Sequence, residues 1–256
     1  MNTARASRPV IEVCVESIDA VQAAQEGGAD RVELCAGLSE GGLTPSLGTV
    51  RGALAVARVP LHVIVRPRGG NFVYSDSEFN SMLDDVKILR EVGVQGVVIG
   101  CLTPDALVDV PRTQALVAQA GSLSVTFHRA FDLTADAAQA LEHLVICGVD
   151  RVLTSGQQVT ALEGVPLLQS LLAQARGRII ILGCGRIRPD SVTELLRQIP
   201  LSEIHFSAQR PVSDALAARP DRMYFGSSEE SGQLITSAAQ VAATIVAARS
   251  AGMKPG

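Results

Sequence analysis

The chain has 256 residues, of which 47% are hydrophobic and 19% are charged, and its formal net charge is −4. These values are typical of a compact globular protein, and they exclude the strongly basic surface that binding to nucleic acid or to a membrane requires. Aromatic residues make up 3% of the chain and tryptophan is absent, which leaves few stacking platforms for sugars or bases.

The cysteine pattern and the start of the sequence predict a cytoplasmic protein. Five cysteines are scattered without CxxC spacing, and the opening residues MNTARASRPV lack an apolar signal sequence. No run approaches the roughly 20 apolar residues of a membrane span. Such cysteine usage is typical of reduced thiols in the cytoplasm. We expect residues 1–9 to form a disordered tail and residues 10–250 to form a single domain.

Short strand-like segments alternate with longer helix-like segments along the chain. Strands are predicted near residues 11–15, 31–36, 61–66, 96–101, 124–129, 151–155, 179–183 and 203–207. Helix starts are indicated by Ser17, by Thr44-Pro45, by a capping box from Ser75 to Glu78 and by Pro189-Asp190. Eight such units predict an α/β fold of the (β/α)8 TIM-barrel type. A doubly wound sheet would normally show longer and uniformly apolar central strands.

The strands show an alternation of apolar and polar residues that predicts a polar barrel interior. In the first strand, Ile11 and Val13 share one face, whereas Glu12 and Cys14 share the other. The apolar face is expected to pack against helices, and the polar face to converge with the polar faces of the other strands. Active sites of such barrels lie at the carboxyl ends of the strands. The sequence therefore predicts a site at this mouth.

Charged and imidazole side chains at the strand ends are the candidates for catalysis. The predicted catalytic set comprises Glu33, His128, Arg66, Arg129, Asp132 and Glu12. Arginines 66, 68 and 129 are expected near the carboxylates, since an isolated buried charge is too costly. An internal salt-bridge network that closes a polar barrel is the alternative interpretation. His205 is left open between function and structure, whereas His62 and His143 are expected to be structural.

The loops after the seventh and eighth strands predict an anion-binding cradle. GCGRIRPDS supplies Gly183, Gly185 and Arg186, and FSAQR supplies Ser207. Loops at these two places are the usual phosphate site of a TIM barrel. The alternative is that the glycines only permit tight turns.

Two cysteines end neighbouring strands on the same face and are the candidate metal ligands. Cys14 and Cys35 are expected to bring their sulfur atoms within a few ångströms. Paired thiolates suit Cu(I) better than Mg²⁺ or Ca²⁺, although buried free cysteines are also common core residues. No lysine lies on a predicted strand, which argues against a Schiff-base aldolase, and four histidines supply a zinc or binuclear hydrolase site poorly.

Several long segments resemble the CutC family of copper homeostasis proteins. They are EVCVES, GGADRVELCAGLSEGGLTPS, VRPRGGNFVYSD, VTFHRAFD, RVLTSG and HFSA, within about residues 10–209. The resemblance implies a TIM barrel, a cytoplasmic location, a homo-oligomer and Cu(I) binding at Cys14 and Cys35. It also places the family's polar pocket on the predicted catalytic residues. One departure is Val15, where some members carry a second cysteine.

Three hypotheses about function follow. The first is a copper homeostasis protein that binds Cu(I), and the second is an enzyme acting on a small anionic or phosphorylated metabolite, with no organic cofactor. In the second, Arg66 and the glycines of the cradle hold the anion, and Glu33 or His128 transfers a proton. The third is a barrel that serves as an interaction surface. The irregular segment 211–233 is interpreted as a lid or an oligomer contact.

Overall fold

A computed structural model describes residues 8–212 and 234–251 of the chain. Within these residues, eight parallel strands form a closed barrel in which each strand pairs with the next and β8 pairs with β1. The strands are β1 Val10–Val15, β2 Arg31–Leu34, β3 Leu61–Ile64, β4 Gly96–Ile99, β5 Ser124–Phe127, β6 Arg151–Thr154, β7 Ile180–Gly183 and β8 Glu203–Phe206. The predicted (β/α)8 TIM barrel is confirmed.

Eight α-helices among the described residues accompany the strands. They are α1 Ile18–Glu26, α2 Leu47–Val56, α3 Asp76–Val92, α4 Val110–Ala120, α5 Ala137–Cys147, α6 Val165–Ala175, α7 Val192–Gln198 and α8 Ala238–Ser250. A short antiparallel pair, β9 Gln209–Pro211 and β10 Leu234–Thr236, follows β8. None of the helices in the described ranges has the length and hydropathy that crossing a bilayer requires.

Two of the four predicted helix starts have the predicted caps, whereas α7, which Pro189-Asp190 was expected to open, begins at Val192 after Ser191 without a side-chain capping bond. Ser17 caps α1, and Ser75 and Glu78 form the reciprocal capping box of α3. The prediction that Thr44 caps α2 is wrong, because Ser46 accepts the hydrogen bond from the helix and Thr44 instead accepts one from the Arg66 amide. The hydroxyl of Thr44 thereby ties α2 to the end of β3.

The alternation of side chains divides the barrel into two environments. Ile11, Val13 and Val15 of β1 are fully buried among the outward-facing apolar residues that pack against the helices. Glu12 of β1 is level with Arg31 of β2 and with His205 of β8, so the three side chains share the interior face. The interior near β1, β2 and β8 is therefore charged, and small apolar clusters that include Ile64 with Val98 and Leu153 with Leu182 lie apart from the main core between the strands and the helices.

Candidate functional site at the barrel mouth

A cavity of about 740 Å³ opens at the carboxyl ends of the strands. Cys14, Glu33 and His205 lie among the residues that line it, and loop residues after β2, β3, β5, β7 and β8 form its walls. The cavity extends to Leu234 and to α8. Segment 213–233, which includes most of the predicted lid, lies outside the described residues.

The two candidate metal-binding thiols are in contact at the base of this cavity. The Sγ atoms of Cys14 and Cys35 are 3.5 Å apart, and the thiol of Cys35 is also 3.5 Å from the carbonyl oxygen of Val15. Cys14 lines the cavity, whereas Cys35 is fully buried behind it. The hydrogen bond with Cys35, burial and the negative charge of Glu33 raise the pKa of Cys14 well above its usual value. In the absence of a metal, Cys14 is thus a neutral thiol.

A carboxylate and an imidazole lie beside Cys14. One donor atom from each of Cys14, Glu33 and His205 lies within 4.8 Å of the other two. The Nε2 atom of His205 is 3.7 Å from Glu33 Oε2, and its Nδ1 atom is 2.7 Å from Glu12 Oε1. Burial raises the pKa of Glu33, and the charge of Glu12 adds to this increase. Burial lowers the pKa of His205, but the hydrogen bond to Glu12 and the charges of both carboxylates outweigh it, so the net shift is upward.

Glu12 is held in its ionised state by basic partners. Burial raises its pKa, but the hydrogen bond from His205 and the charge of Arg31 outweigh this effect and hold it well below the usual value. Arg31 bonds Glu12 through Nε and Glu203 Oε2 through a terminal nitrogen at 2.5 Å, and Arg151 Nε is 3.2 Å from the same Glu203 oxygen. This network of four charged residues fills the barrel below the cavity.

The sequence-based prediction for these partners is correct only in part. Arg66, Arg68 and Arg129 were expected near Glu12, Glu33 and Asp132; Arg129 does pair with Asp132, but the arginine that pairs with Glu12 is Arg31. Arg31 and Arg151 also pair with Glu203. Both arginines are the first residues of their strands, a position at which a charged side chain is usually exposed to solvent. The interior-face parity of Arg31 with Glu33 is the signal that identifies it as inward-facing.

Arg66 instead supports the loops of the mouth. Its terminal nitrogens donate to the carbonyl oxygens of Glu40, Gly42 and Gly70 at 2.6, 2.9 and 3.0 Å, and its guanidinium lies over the ring of Phe72. Arg66 lines the cavity, so the side chain both braces the loops and borders the site. Arg68 points away and bonds Glu78 of α3.

His128 is buried at the cavity wall with one free ring nitrogen. Its Nδ1 atom accepts a hydrogen bond from the Ala130 amide, and its Nε2 atom has no partner among the described residues. Burial, and then the charge of Arg66, lower the pKa of His128 to about 3, so the imidazole is neutral and Nε2 carries the proton. A Cβ atom at Gly100 would overlap this ring. The absence of a side chain at position 100 makes the position of His128 possible.

Arg129 and Asp132 form a pair next to His128. Arg129 Nε donates to Asp132 Oδ2 at 2.8 Å, and Asp132 also accepts hydrogen bonds from Thr154, Ser155 and the Gln157 amide. Asp132 therefore fastens the loop after β6. Arg129 is among the cavity-lining residues, whereas Asp132 is not.

Only part of the predicted anion-binding cradle lies at the cavity. Gly185, Arg186 and Ser207 line it, but Gly183 does not. A Cβ atom at Gly183 would lie 2.5 Å from Leu201, so this glycine serves packing between β7 and the segment before β8. Gly185 has a φ of 105°, and a Cβ atom there would lie 2.7 Å from Ser155, so the turn after β7 requires a glycine at this position.

His62, which was expected to be structural, lies deeper in the barrel. It is buried, its Nδ1 atom is 3.8 Å from Glu12 Oε2, and a Cβ atom at Gly96 on the next strand would meet its ring at 2.6 Å. His62 is absent from the cavity wall.

Fold and site together define a (β/α)8 barrel with a thiol, carboxylate and imidazole cluster at the mouth of a charged interior. The sequence model that represents the CutC family matches residues 9–210 of this chain. The chain belongs to the CutC family.

Relatives support this assignment over most of the chain. The family protein CutC of Mesorhizobium japonicum is 54% identical over 244 residues, which cover 94% of this chain and 95% of that protein. That of Bacteroides thetaiotaomicron is 45% identical, with coverages of 93% and 98%. A crystal structure of CutC from Streptococcus agalactiae, a protein assigned to copper homeostasis, has 29% identity and a TM-score of 0.73, covering 77% of this chain and 97% of that one.

Proposed function

We propose that this protein binds Cu(I) through Cys14 and Cys35 as a cytoplasmic component of copper homeostasis. The observation that carries the proposal is the 3.5 Å separation of the two sulfur atoms at the base of a cavity. Cu(I) prefers soft sulfur ligands, and both thiols are protected from bulk solvent by burial. Membership of a family named for copper homeostasis supports the same function.

The position of the thiols favours an ion that arrives through the cavity. Cys14 lines the cavity and Cys35 lies directly behind it, so an entering ion meets Cys14 first. Because Cys14 is a neutral thiol, binding releases its proton, and the charge of the ion then balances the new thiolate beside Glu33.

The test is an anaerobic Cu(I) titration against a chromogenic chelator of known affinity. We expect one Cu(I) per chain, with affinity reduced at least about tenfold in Cys14→Ser and in Cys35→Ser. Cys147→Ser is the matched control, since Cys147 is a buried cysteine at the end of α5, away from the cavity. Binding that is unchanged in both site variants, or equally weakened in the control, would overturn the proposal.

A second candidate function is an enzyme that acts on a small anionic or phosphorylated metabolite. The observation in its favour is the cavity volume of about 740 Å³, which is within the range of small-molecule sites and far exceeds the space that one ion needs. Arg129 and Arg186 line it together with the neutral His128, which offers Nε2–H as a donor. In this hypothesis, Glu33, with its raised pKa, transfers the proton.

This second function is tested with inorganic phosphate and citrate as probes. We expect each anion to raise the thermal midpoint of unfolding, and Arg186→Gln to abolish the increase. Arg178→Gln is the control, because Arg178 pairs with Glu142 away from the mouth. Equal effects of the anions on both variants would exclude an anion site at the mouth.

The cytoplasmic location and the homo-oligomer are part of the same proposal. Five of the exposed large apolar side chains are more than half accessible: Leu133, Ile146, Val159, Leu234 and Val246. Sedimentation equilibrium of the full chain measures the assembly, and a monomer at all concentrations would contradict it.

A further inference from the structure

We infer that Cys14, Glu33 and His205 form a second metal site, suited to a borderline divalent ion such as Zn(II), with an open coordination position that faces the cavity. The inference goes beyond Cu(I) binding, because two of the three ligands take no part in the thiol pair. It also differs from the zinc sites that the histidine count disfavours, since a thiolate and a carboxylate replace the missing histidines.

The distances fit such an ion. A tetrahedral Zn(II) with bonds of roughly 2.0–2.3 Å holds its ligand atoms about 3.3–3.8 Å apart. His205 Nε2 and Glu33 Oε2 are already 3.7 Å apart, and all three donor atoms lie within 4.8 Å of one another. Small rotations of the side chains are sufficient to close the set around one ion.

The support behind His205 is of the kind found at metal sites. A ligating histidine usually donates its other ring N–H to a carboxylate, which fixes the tautomer and the direction of the lone pair. Here Nδ1 donates to the ionised Glu12 at 2.7 Å, and Glu12 is held in turn by Arg31. Nε2 thereby faces Glu33, and a cation that binds there displaces the proton that the raised pKa of His205 favours on this nitrogen.

Charge and access agree with a divalent ion in a reactive position. The Cys14 thiolate and the Glu33 carboxylate together neutralise the charge of a divalent cation. Glu12 and Arg31 neutralise each other. All three ligands line the cavity. Three protein ligands with a fourth position open to a cavity describe a catalytic rather than a structural zinc site, where a water or a substrate oxygen completes the coordination.

The test is a Co(II) titration of the reduced, full-length protein, with Co(II) as the spectroscopic substitute for Zn(II). We expect one equivalent to produce a sulfur-to-cobalt charge-transfer band and the intense visible bands of tetrahedral cobalt. Glu33→Gln and His205→Gln should each weaken Co(II) binding by about 10- to 100-fold, and Cys14→Ser should abolish the charge-transfer band. Circular dichroism confirms that each variant is folded.

Variants of residues that belong to only one of the two sites distinguish the Co(II) proposal from the Cu(I) proposal. Cys35→Ser should retain the Co(II) spectrum but lose tight Cu(I) binding, whereas Glu33→Gln should lose the Co(II) spectrum but retain Cu(I) binding. Glu194→Gln and His143→Gln, both distant from the cavity, are the matched controls. A Co(II) spectrum that survives Glu33→Gln and His205→Gln, or that Cys35→Ser abolishes, would overturn the second site and leave the Cu(I) proposal standing. No cobalt binding at all would do the same.

Discussion

His205 on β8 donates its Nδ1 proton to Glu12 on β1 across 2.7 Å, at the seam where the last strand of the barrel meets the first. Because Glu12 also accepts from Arg31, a single carboxylate orients the imidazole above it and neutralises the guanidinium beside it. The candidate metal site and the charged interior are thus joined through one residue.

Glu12→Gln is expected to lower the free energy of unfolding by about 3 kcal/mol, because it leaves a buried arginine with half of its counter-charge. Arg31 would keep its bond to Glu203 at 2.5 Å but lose the ionised partner on β1. Urea unfolding at neutral pH measures the loss. Glu194→Gln, at an exposed position, should stay within about 0.5 kcal/mol of the parent. A loss below about 1 kcal/mol in Glu12→Gln would mean that desolvation cancels the attraction.

Gly100→Ala is expected to destabilise the protein by about 1–3 kcal/mol, because the new methyl group overlaps the His128 ring. The control is Gly48→Ala in α2, where the nearest atom is Ser46 Oγ at 3.8 Å and the change should stabilise by about 0.5–1 kcal/mol. Urea unfolding and the NMR signal of the imidazole provide the measurements. Combining Gly100→Ala with His128→Ala should cost less than the sum of the two single changes, and strict additivity would contradict the overlap.

Cu(I) affinity is expected to increase with pH, because the pKa of the Cys14 thiol is raised well above its usual value and binding must displace the proton. Each thiol proton released adds about one logarithmic unit of affinity per pH unit below the thiol pKa. Chelator competition between about pH 6 and pH 8 measures the slope. A slope near zero would show that the ion binds without deprotonating Cys14.

Stability is expected to fall as the solution is acidified from about pH 6.5 to pH 4, and His62 contributes to this loss. Burial lowers the pKa of His62 to about 4, although the Glu12 charge opposes the shift. The unfolded chain, with an ordinary imidazole pKa, binds a proton in this window that the folded chain excludes. The contribution is therefore present above about pH 6.5, lost toward pH 4 and worth about 3 kcal/mol.

His62→Gln should flatten the pH dependence of urea unfolding in that window. His128, with its pKa lowered to about 3, acts in the same direction and keeps part of the slope in the variant. His205 acts in the opposite direction, because its pKa is raised and its contribution is lost as the pH increases. An unchanged slope in His62→Gln would show that His62 is solvated.

The barrel was predictable from sequence because its evidence is local and repeated. Alternation in five segments separated the apolar outer face from the polar interior, and this division is the one observed in β1 for Ile11, Val13 and Glu12. Loops were harder to interpret. Thr44 precedes a proline and was expected to cap α2, but it bonds the Arg66 amide because the loop folds back toward β3.

Which side chains gather at the mouth was easier to predict from the sequence than how they pair. Cys14 and Cys35 were placed together by strand order and parity alone. The partners of the carboxylates were not, because pairing inside a closed barrel depends on register across strands that are distant in the chain. Arg31 and Glu203, which are 172 residues apart, meet only when β8 closes against β1. Arg66 and Asp132 form hydrogen bonds with the backbone of loops, and no pattern of side chains in the sequence predicts such bonds.

Two glycines, one in β4 and one directly after it, show how the interior space is divided. Gly96 leaves room for the ring of His62 on β3, and Gly100, just beyond the strand, leaves room for that of His128 after β5. Each imidazole therefore requires a glycine opposite it, and the two positions cannot be changed independently. A relative that replaces the histidine is free to gain a methyl group opposite it, whereas one that keeps the ring is not. Redesign of the barrel interior should accordingly begin with these glycines, because the residue at each of these positions decides which ring fits opposite it.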